Sequence, residues 1–435
     1  MHSDFAKTPP LGWNSWDCYG AGVNEKQLKE NADYMAKYLK PYGWKYIICD
    51  IQWYEPNAKG NDYNNFAPLN MDEYGRLMPA ENRFPSAKGG KGFKPIADYC
   101  HNLGLKFGIH IMRGVPRGAV HADLPVFNSN YFCREIAHHF SVCSWNTDMY
   151  GLKNCQGAQE YYNSIINLYA SWGVDFIKCD DIAVTEFRKW DKPYSAYYEI
   201  EMIRKAIDNC GRNIVLSLSP GPASTENAAH LRKNANMWRM TGDFWDVWEK
   251  LYDMFDKCRD WQDLTGGGCW ADCDMLPLGR LSKDGTCHGP ANRYTQFTKP
   301  EQYTLMTLWG IFRSPLMFGG NLPENDGFTL SLLTNAEYME MHKNSFGARQ
   351  VYRKEGKNGG TVVWASSGKK CKYVALFNTK NKANKISYSL SEILMPNTKY
   401  SVLNVWNGEV QTVCNKISAC VEPHGAVLFK ICTAC

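Results

Sequence analysis

The sequence predicts an α/β protein, built as a (β/α)8 (TIM) barrel that is followed by a C-terminal antiparallel β-sandwich. Up to about residue 345, short β-favouring runs alternate with longer amphipathic helical patterns, which is typical of a parallel sheet covered by helices. Seven such runs are visible and an eighth is expected, which is the strand number of the barrel. From about residue 347 only strand patterns remain. We therefore expect a barrel domain over residues 1–345 and a sandwich domain over residues 346–435.

The predicted barrel strands are short apolar runs bounded by glycine, asparagine or charged residues. Several of them are apolar throughout, as expected for parallel strands that are covered on both faces. The eighth strand is expected near residues 268–274. In chain order, the other seven are residues 10–15, 46–51, 106–111, 175–180, 213–218, 236–240 and 315–318.

Helices are predicted where apolar residues recur every three or four positions between these strands. Thr298 is the expected N-cap of the last helix, because Pro300 follows in the first turn and Glu301 completes a capping box. The predicted helices cover residues 25–39, 159–171, 244–261 and 299–311. In the sandwich, strands are predicted at residues 361–364, 373–377, 400–405 and 426–429.

Composition excludes several classes of function. The 435 residues carry a net charge of +5 without a basic block, so nucleic-acid binding is not expected. There is no apolar stretch of about 18 residues, so no membrane association is expected either. The first residues lack the apolar core of a signal peptide, which favours a cytoplasmic protein, with a trimmed secreted form as the alternative. Assembly into a homo-oligomer is left open.

The 17 cysteines are scattered through apolar runs, as expected for buried free thiols. Cys432 and Cys435 have the spacing of one pair of zinc ligands, but the sequence has no second pair of cysteines with this spacing to complete a site. We expect no metal and no cofactor.

The most informative segment is the run that ends in Lys178 and Asp180. A buried strand alternates its faces, so these two side chains point one way and Cys179 points the other. A cation and a carboxylate at a strand tip form either an ion pair that closes the barrel rim or a reactive site. Both interpretations stay open on this segment alone.

A second tip repeats the arrangement, because an extended segment would bring Arg239, Thr241 and Asp243 to one face. Two carboxylates, each beside a cation, suit double displacement at a sugar carbon. One carboxylate must stay ionised to attack, and the other must hold a proton for the leaving oxygen. The full polar set expected at the barrel mouth is Asp50, His110, Lys178, Asp180, Arg239, Asp243 and Asp274.

Four tryptophans, Trp13, Trp16, Trp53 and Trp270, are candidates for an aromatic wall beside these carboxylates. Galactose-type sugars present an apolar C–H face that such a wall would cover. Taken singly, each tryptophan is more typical of a core residue.

The ordered motifs resemble glycoside hydrolase family 27, the α-galactosidase and α-N-acetylgalactosaminidase family, over essentially the whole chain. Its N-terminal pattern is TPPLGWNSWD, at residues 8–17. The remaining motifs are RFP (83–85), GLKFGI (104–109), WGVDFIKCD (172–180), the stretch 238–243, WADCDML (270–276) and the stretch 308–318.

This resemblance implies a retaining mechanism without metal on a barrel that is followed by a β-sandwich. It implies that Asp180 is the nucleophile and Asp243 the acid/base. It also implies substrate contacts by a further set of residues, namely Trp16, Asp50, Lys178, Arg239 and Asp274.

Three departures from the family pattern bear on specificity. The family's second strand often ends in two Asp residues that hold O4 and O6 of galactose, whereas here Ile51 follows Asp50. An apolar Ile51 suits β-L-arabinopyranose, which has the ring configuration of galactose but no C6. The end of the fifth strand reads LSLSPG (216–221), where α-galactosidases often carry Cys-Glu-Trp, so the O2 contact is altered and the small Ser219 could leave room for an N-acetyl group. His110 replaces a frequent Tyr and could still hydrogen-bond a sugar hydroxyl.

The expected function is therefore a retaining exo-α-galactosidase acting on oligosaccharides or glycoconjugates. β-L-Arabinopyranosidase activity is the close alternative and α-N-acetylgalactosaminidase activity the third, because the motif variants look most like the branch that also acts on β-L-arabinopyranosides. Outside enzymes, the rivals are a carbohydrate-binding protein on a catalytically retired barrel and a structural scaffold. A solvent-accessible Trp16 in a pocket would count against the scaffold.

Overall fold

Eight parallel strands form the central sheet of the computed structural model, which describes residues 1–184, 196–284, 289–393, 395–396 and 398–434. In chain order, they are β1 (Leu11–Asn14), β2 (Tyr46–Cys49), β3 (Lys106–Met112), β4 (Phe176–Asp180), β5 (Val215–Leu218), β6 (Met237–Arg239), β7 (Trp270–Asp272) and β8 (Leu316–Phe318). Neighbours along the chain are neighbours in the sheet, and β8 pairs with β1. A parallel bridge between Leu276, just beyond β7, and Phe318 of β8 joins the two ends. The predicted barrel fold is confirmed.

The strands alternate their faces as predicted. Phe176 packs with other residues of the barrel interior, whereas Ile177 and Cys179 pack outward against the surrounding helices. Lys178 and Asp180 therefore share the inner face of β4, at its carboxyl end. Each barrel strand was predicted within a few residues of its observed position.

Helices alternate with these strands along the chain. They are α1 (Trp16–Tyr19), α2 (Glu25–Tyr34), α3 (Lys94–Asn102), α4 (Arg117–His121), α5 (Cys133–Ile136), α6 (Gln156–Ser171), α7 (Tyr197–Asn209), α8 (Ala228–Asn234), α9 (Trp248–Trp261), α10 (Lys299–Phe312), α11 (Gly327–Leu333) and α12 (Ala336–Asn344). A wider helical turn, Met35–Leu39, continues α2. The predicted cap of α10 is confirmed. The Thr298 hydroxyl oxygen accepts from the Glu301 backbone N–H, and the Glu301 carboxylate accepts from the Thr298 backbone N–H. No helix in the described ranges is both long and apolar enough to span a membrane.

One predicted helix begins later than expected. The apolar pattern indicated a start at Phe244, but α9 begins at Trp248. The Phe244 N–H donates to Asp274 Oδ2 at 2.8 Å, so this part of the chain is held at the barrel mouth. Its aromatic side chains serve the mouth rather than a helix face.

From Phe346 onward the described chain forms antiparallel strands. They are β9 (Phe346–Gly356), β10 (Gly359–Ser367), β11 (Cys371–Asn378), β12 (Asn384–Ser389), β13 (Tyr400–Asn404), β14 (Val410–Val413), β15 (Lys416–Val421) and β16 (Ala426–Thr433). One sheet has the order β9-β10-β11-β16-β13-β14, and β12 pairs with β15 in a second sheet. Val374, Ile417 and Ile431 belong to the apolar core between them. The β-sandwich is confirmed, whereas the exact boundary between residues 345 and 346 stays a prediction.

Candidate active site

A cavity of about 500 Å³ lies at the carboxyl ends of the barrel strands. This is the end of the barrel where parallel strands deliver functional side chains. Among the residues that line it are Trp16, Asp17, Asp50, Ile51, Tyr63, Trp145, Lys178, Asp180, Arg239, Asp243, Trp245 and Asp274. The cavity therefore collects most of the polar set that was predicted from the strand tips.

Lys178 at the end of β4 is paired with Asp50 from the end of β2. Its Nζ donates to Asp50 Oδ2 at 2.8 Å, and Asn14 donates to the same oxygen at 2.6 Å. Burial is the largest single influence and raises the pKa of Asp50, but the charges of Lys178 and His110 and the hydrogen bonds from Lys178 and Asn14 together lower this pKa below its ordinary value. The pair thus presents a fixed cation and a fixed carboxylate to the cavity.

Asp180 accepts three hydrogen bonds. His110 Nε2 lies 3.1 Å from Oδ2, and Oδ1 accepts from Ser219 Oγ and from the Asp181 backbone N–H, both at 3.0 Å. Burial by itself raises the pKa of Asp180. The hydrogen bond and charge of His110, followed by the charge of Lys178, reverse the effect and hold this pKa far below its ordinary value. The surroundings of Asp180 therefore favour its ionised form.

Arg239 joins two further carboxyl groups. Its Nη2 lies 2.9 Å from Asp243 Oδ1 and 3.1 Å from Asp274 Oδ2. The Asp243 side chain is 72% exposed, whereas that of Asp180 is 11% exposed. Burial raises the pKa of Asp274, with Arg239 opposing this shift and Asp243 adding to it. The two candidate catalytic carboxyls thus differ sharply in their access to solvent.

The prediction that Arg239, Thr241 and Asp243 share one face of an extended segment is wrong. β6 ends at Arg239, and the chain then bends. The last hydrogen bond between β6 and β7 is donated by the Met240 N–H, one residue beyond β6, to the Asp272 carbonyl. Arg239 and Asp243 still meet, because their side chains are bonded directly.

The aromatic wall differs from the predicted one. Trp13, Trp53 and Trp270 are fully buried, and each indole N–H donates to a backbone carbonyl within the core. Of the four predicted tryptophans, only Trp16 lines the cavity. It stacks on Tyr63 with ring centroids 5.9 Å apart.

Sequence reasoning missed two further aromatic residues that line the cavity, Tyr63 and Trp145. Trp145 packs against Tyr63 with ring centroids 5.6 Å apart. Both come from segments between strands, so the pattern of strand tips gave no signal for them. The structure leaves Trp145 38% exposed, a property that the sequence does not reveal.

Of the three positions predicted to set specificity, Ile51 lines the cavity, whereas His110 and Ser219 do not. Ile51 lines the cavity beside Asp50, as its motif position predicts. Ser219 and His110, in contrast, are buried and direct their polar atoms at Asp180 rather than into the cavity. Both side chains therefore bond this carboxylate, and their contacts with substrate hydroxyls stay a prediction.

A buried network behind Asp180 was also missed. Asp181 has a left-handed backbone, with φ of 53°, which directs its N–H at Asp180. Arg113 holds this residue, since its Nε donates to the Asp181 carbonyl and its Nη1 donates to Glu199 at 3.0 Å. Arg113 and Glu199 come from distant parts of the chain, and no local motif marks them.

Every cysteine in the described ranges is free, and most are buried. No group of three or more His, Cys, Asp or Glu side chains in the described part of the chain could hold a metal ion. Cys432 faces Cys371 across two paired strands, whereas Cys435 lies outside the described residues.

The comparisons with known proteins agree with this geometry. Residues 146–344 match the family described as "Alpha galactosidase A", and residues 350–431 match "Alpha galactosidase C-terminal beta sandwich domain". An α-galactosidase from Coffea arabica is 29% identical over 429 residues, which is 98% of this chain and 93% of that protein.

Two solved structures are more similar. A family 27 β-L-arabinopyranosidase from Geobacillus stearothermophilus is 55% identical with a TM-score of 0.96, covering 100% of this chain and 98% of that one. The chain belongs to glycoside hydrolase family 27. A provisionally assigned α-N-acetylgalactosaminidase from Bacillus halodurans C-125 is 48% identical with a TM-score of 0.87, covering 98% of this chain and 97% of that one.

Membership of family 27 makes the protein a glycoside hydrolase whose substrate is a glycoside or oligosaccharide. The resemblance seen in the motifs is therefore confirmed. The family establishes the class of reaction, which is glycoside hydrolysis. It does not establish the sugar, because the names of the three relatives give three different activities. The preferred sugar has to be argued from the cavity.

Proposed function

We propose that the protein is a retaining exo-glycosidase that releases terminal β-L-arabinopyranosyl residues, with α-D-galactosyl residues as its second substrate class. The carrying observation is Ile51, an apolar side chain in the cavity wall beside the Lys178–Asp50 pair. The identity of 55% to a β-L-arabinopyranosidase supports the same order of preference. This order reverses the one that the motifs alone suggested.

The argument rests on the cost of leaving a hydroxyl group unbonded. In the family pattern, a second Asp at the position of Ile51 binds O6 of galactose. An aliphatic side chain offers no hydrogen bond there, and a buried hydroxyl without a partner costs about 1–3 kcal/mol. β-L-Arabinopyranose lacks C6 and O6, so it meets the same wall with a ring C–H surface and avoids this cost.

In the proposed reaction, Asp180 attacks the anomeric carbon while Asp243 protonates the departing oxygen. Water then attacks the anomeric carbon of the glycosyl-enzyme ester, Asp243 takes a proton from this water, and the Asp180 carboxylate is released. The deep position and low pKa of Asp180 suit a nucleophile that must stay ionised. The exposure of Asp243 suits a group at the cavity mouth, where the leaving group departs and water enters.

The substrate preference can be tested by replacing Ile51. We expect the unaltered protein to hydrolyse aryl β-L-arabinopyranosides with a higher kcat/KM than aryl α-D-galactosides. Ile51→Asp supplies an acceptor for O6, so the ratio of galactoside to arabinoside kcat/KM should rise about tenfold or more. The measurement is initial rates on both substrates, with an aryl α-N-acetylgalactosaminide as a third.

Ile51→Val is the matched control, because it keeps the wall apolar and should keep the ratio. An unchanged ratio in Ile51→Asp would remove the C6 argument. A preference of the unaltered protein for galactosides would restore the original order, in which α-galactosidase activity comes first.

A second test concerns the ionisation of Asp180. His110→Phe removes the strongest influence that opposes the effect of burial, so the pKa of Asp180 should rise. Because only the ionised form attacks, the acid limb of the kcat/KM profile should move upward by about one pH unit or more. The profile is measured on an aryl β-L-arabinopyranoside from the most acidic pH at which the protein stays folded up to neutral pH, because the acid limb of the unaltered protein lies at strongly acidic pH.

Ser219→Ala serves as the comparison variant, since it removes a neutral donor to the same carboxylate and should shift the limb less. If the limb stays in place in His110→Phe, His110 does not control the ionisation of the nucleophile.

The α-D-galactosidase candidate keeps specific support from the matched families and the plant relatives. The α-N-acetylgalactosaminidase candidate drew on the small Ser219 as a source of space for an N-acetyl group. Ser219 is buried and bonded to Asp180, which weakens that argument.

A further inference from the structure

A row of three aromatic rings lines one part of the cavity. Trp16, at the inner end of the row, packs against residues of the barrel interior. Tyr63 stacks on Trp16, and Trp145 packs against Tyr63 in turn. Trp145 is exposed, although an indole is among the largest apolar side chains. The row therefore leads from the barrel interior to the cavity mouth, and the proposed reaction gives its two outer rings no role.

The two segments that carry the outer rings are bonded to each other. The Tyr54 hydroxyl donates to Asp148 Oδ2 at 2.9 Å, and the Phe66 N–H donates to Thr147 Oγ1 at 2.7 Å. One of the two rings lies between Tyr54 and Phe66 in the chain, and the other shortly precedes Thr147. These bonds hold both rings in place before a ligand arrives, which reduces the conformational entropy that binding costs.

We propose that Trp145, packed against Tyr63, is the binding site for the leaving group, and that the site takes a pyranose sugar. The leaving group is bonded to the glycone, the sugar whose anomeric carbon reacts. A pyranose ring presents an apolar C–H face, and a flat aromatic ring covers such a face well. This inference rests on the proposed function, because it assigns a further ligand to the same cavity.

The exposure of Trp145 selects the leaving group rather than the glycone. An exo-acting enzyme holds the glycone at the closed end of its cavity, and the leaving group extends through the mouth. Asp50, Lys178 and Asp180 are all largely buried. Asp243, which protonates the departing oxygen in the proposed reaction, has an exposed side chain. Trp145 lines the same cavity and shares this exposure, so it lies where the leaving group has to pass.

Polar side chains next to the rings favour a sugar over an apolar ligand. Asn61 and Asp62 directly precede Tyr63 and line the same cavity. A pyranose ring carries hydroxyl groups around its edge, and amide and carboxylate groups can bond them. An aromatic surface with a few polar groups at its border matches both parts of a sugar.

The test removes the outer ring and compares two leaving groups. In Trp145→Ala, kcat/KM should fall about tenfold for a disaccharide in which β-L-arabinopyranose is linked to a second pyranose. For methyl β-L-arabinopyranoside it should change less than about twofold, because a methyl group is too small to cover the indole. The ratio of kcat/KM reports on the glycosylation step, in which the leaving group is still attached.

Three controls accompany this comparison. Trp145→Phe keeps an aromatic ring, so it should retain kcat/KM on the disaccharide within about threefold. Phe140→Ala removes an exposed aromatic side chain outside the cavity and should leave both substrates unaffected. The competitive inhibition constant of free L-arabinose, which has no leaving group, should stay within about twofold in every variant.

Three results would overturn the inference. These are an unchanged kcat/KM for the disaccharide in Trp145→Ala, an equal loss on the disaccharide and the methyl glycoside, and a loss confined to aryl arabinopyranosides, which would assign the site to aryl groups instead of sugars. If the unaltered protein hydrolyses no arabinopyranoside, the proposed function fails separately. The same comparison is then made with a disaccharide and the methyl glycoside of α-D-galactose, and the tenfold difference decides the inference there.

Discussion

Asp180→Ala is expected to lower kcat on every glycoside substrate by about 10⁴-fold or more, because no other group can form the covalent intermediate. Asp180 lies at the end of β4, accepts three hydrogen bonds and has a strongly lowered pKa. The loss should be as large for an activated aryl arabinopyranoside as for an alkyl one, since leaving-group quality cannot replace a nucleophile. Steady-state rates on both substrates provide the measurement.

Two controls separate this role from a structural one. Asp180→Asn keeps the shape and an accepting oxygen, so it should fold normally and be as inactive as the alanine variant. In Asp180→Ala, sodium azide can enter the space left by the carboxyl, attack the anomeric carbon of an activated substrate and give a glycosyl azide of inverted configuration. Residual turnover within tenfold of the unaltered protein would exclude Asp180 as the nucleophile.

The barrel could be predicted because each of its strands carries a local signal. A buried parallel strand is apolar on both faces, and β4 shows this pattern up to its charged tip. The outer strands of the sandwich gave no such signal. β14 is largely exposed and β9 alternates between exposed and half-buried residues, so their pairing depends on backbone hydrogen bonds that the residue pattern does not encode.

In the candidate site too, some residues could be predicted from the sequence and others could not. Asp50, Lys178 and Asp180 could be predicted to meet, because parallel strands end at one edge of the barrel. Trp53 and Trp270 could not be assigned, because the sequence does not distinguish a tryptophan that lines the cavity from one that packs in the core. The structure decides this by burial and by the carbonyl that each indole N–H reaches.

Asp243→Ala is expected to separate the two steps of the reaction. For alkyl arabinopyranosides, whose leaving groups need a proton, kcat/KM should fall about 10²- to 10⁴-fold. For 2,4-dinitrophenyl β-L-arabinopyranoside, which departs without a proton, kcat/KM should stay within about tenfold. Because Asp243 also activates the water, the glycosyl-enzyme should then accumulate, so that kcat and KM fall together.

A rapid burst of dinitrophenol, equal to the enzyme concentration and followed by a slow phase, would identify this accumulated intermediate. The same burst separates Asp243 from Asp180, because a protein without its nucleophile forms no intermediate and gives no burst. Arg239, bonded to both Asp243 and Asp274, keeps Asp274 as its partner in the variant, which limits the structural consequences. If alkyl and dinitrophenyl substrates lost activity equally, Asp243 would not be the proton donor, and its exposure at the mouth would need another explanation.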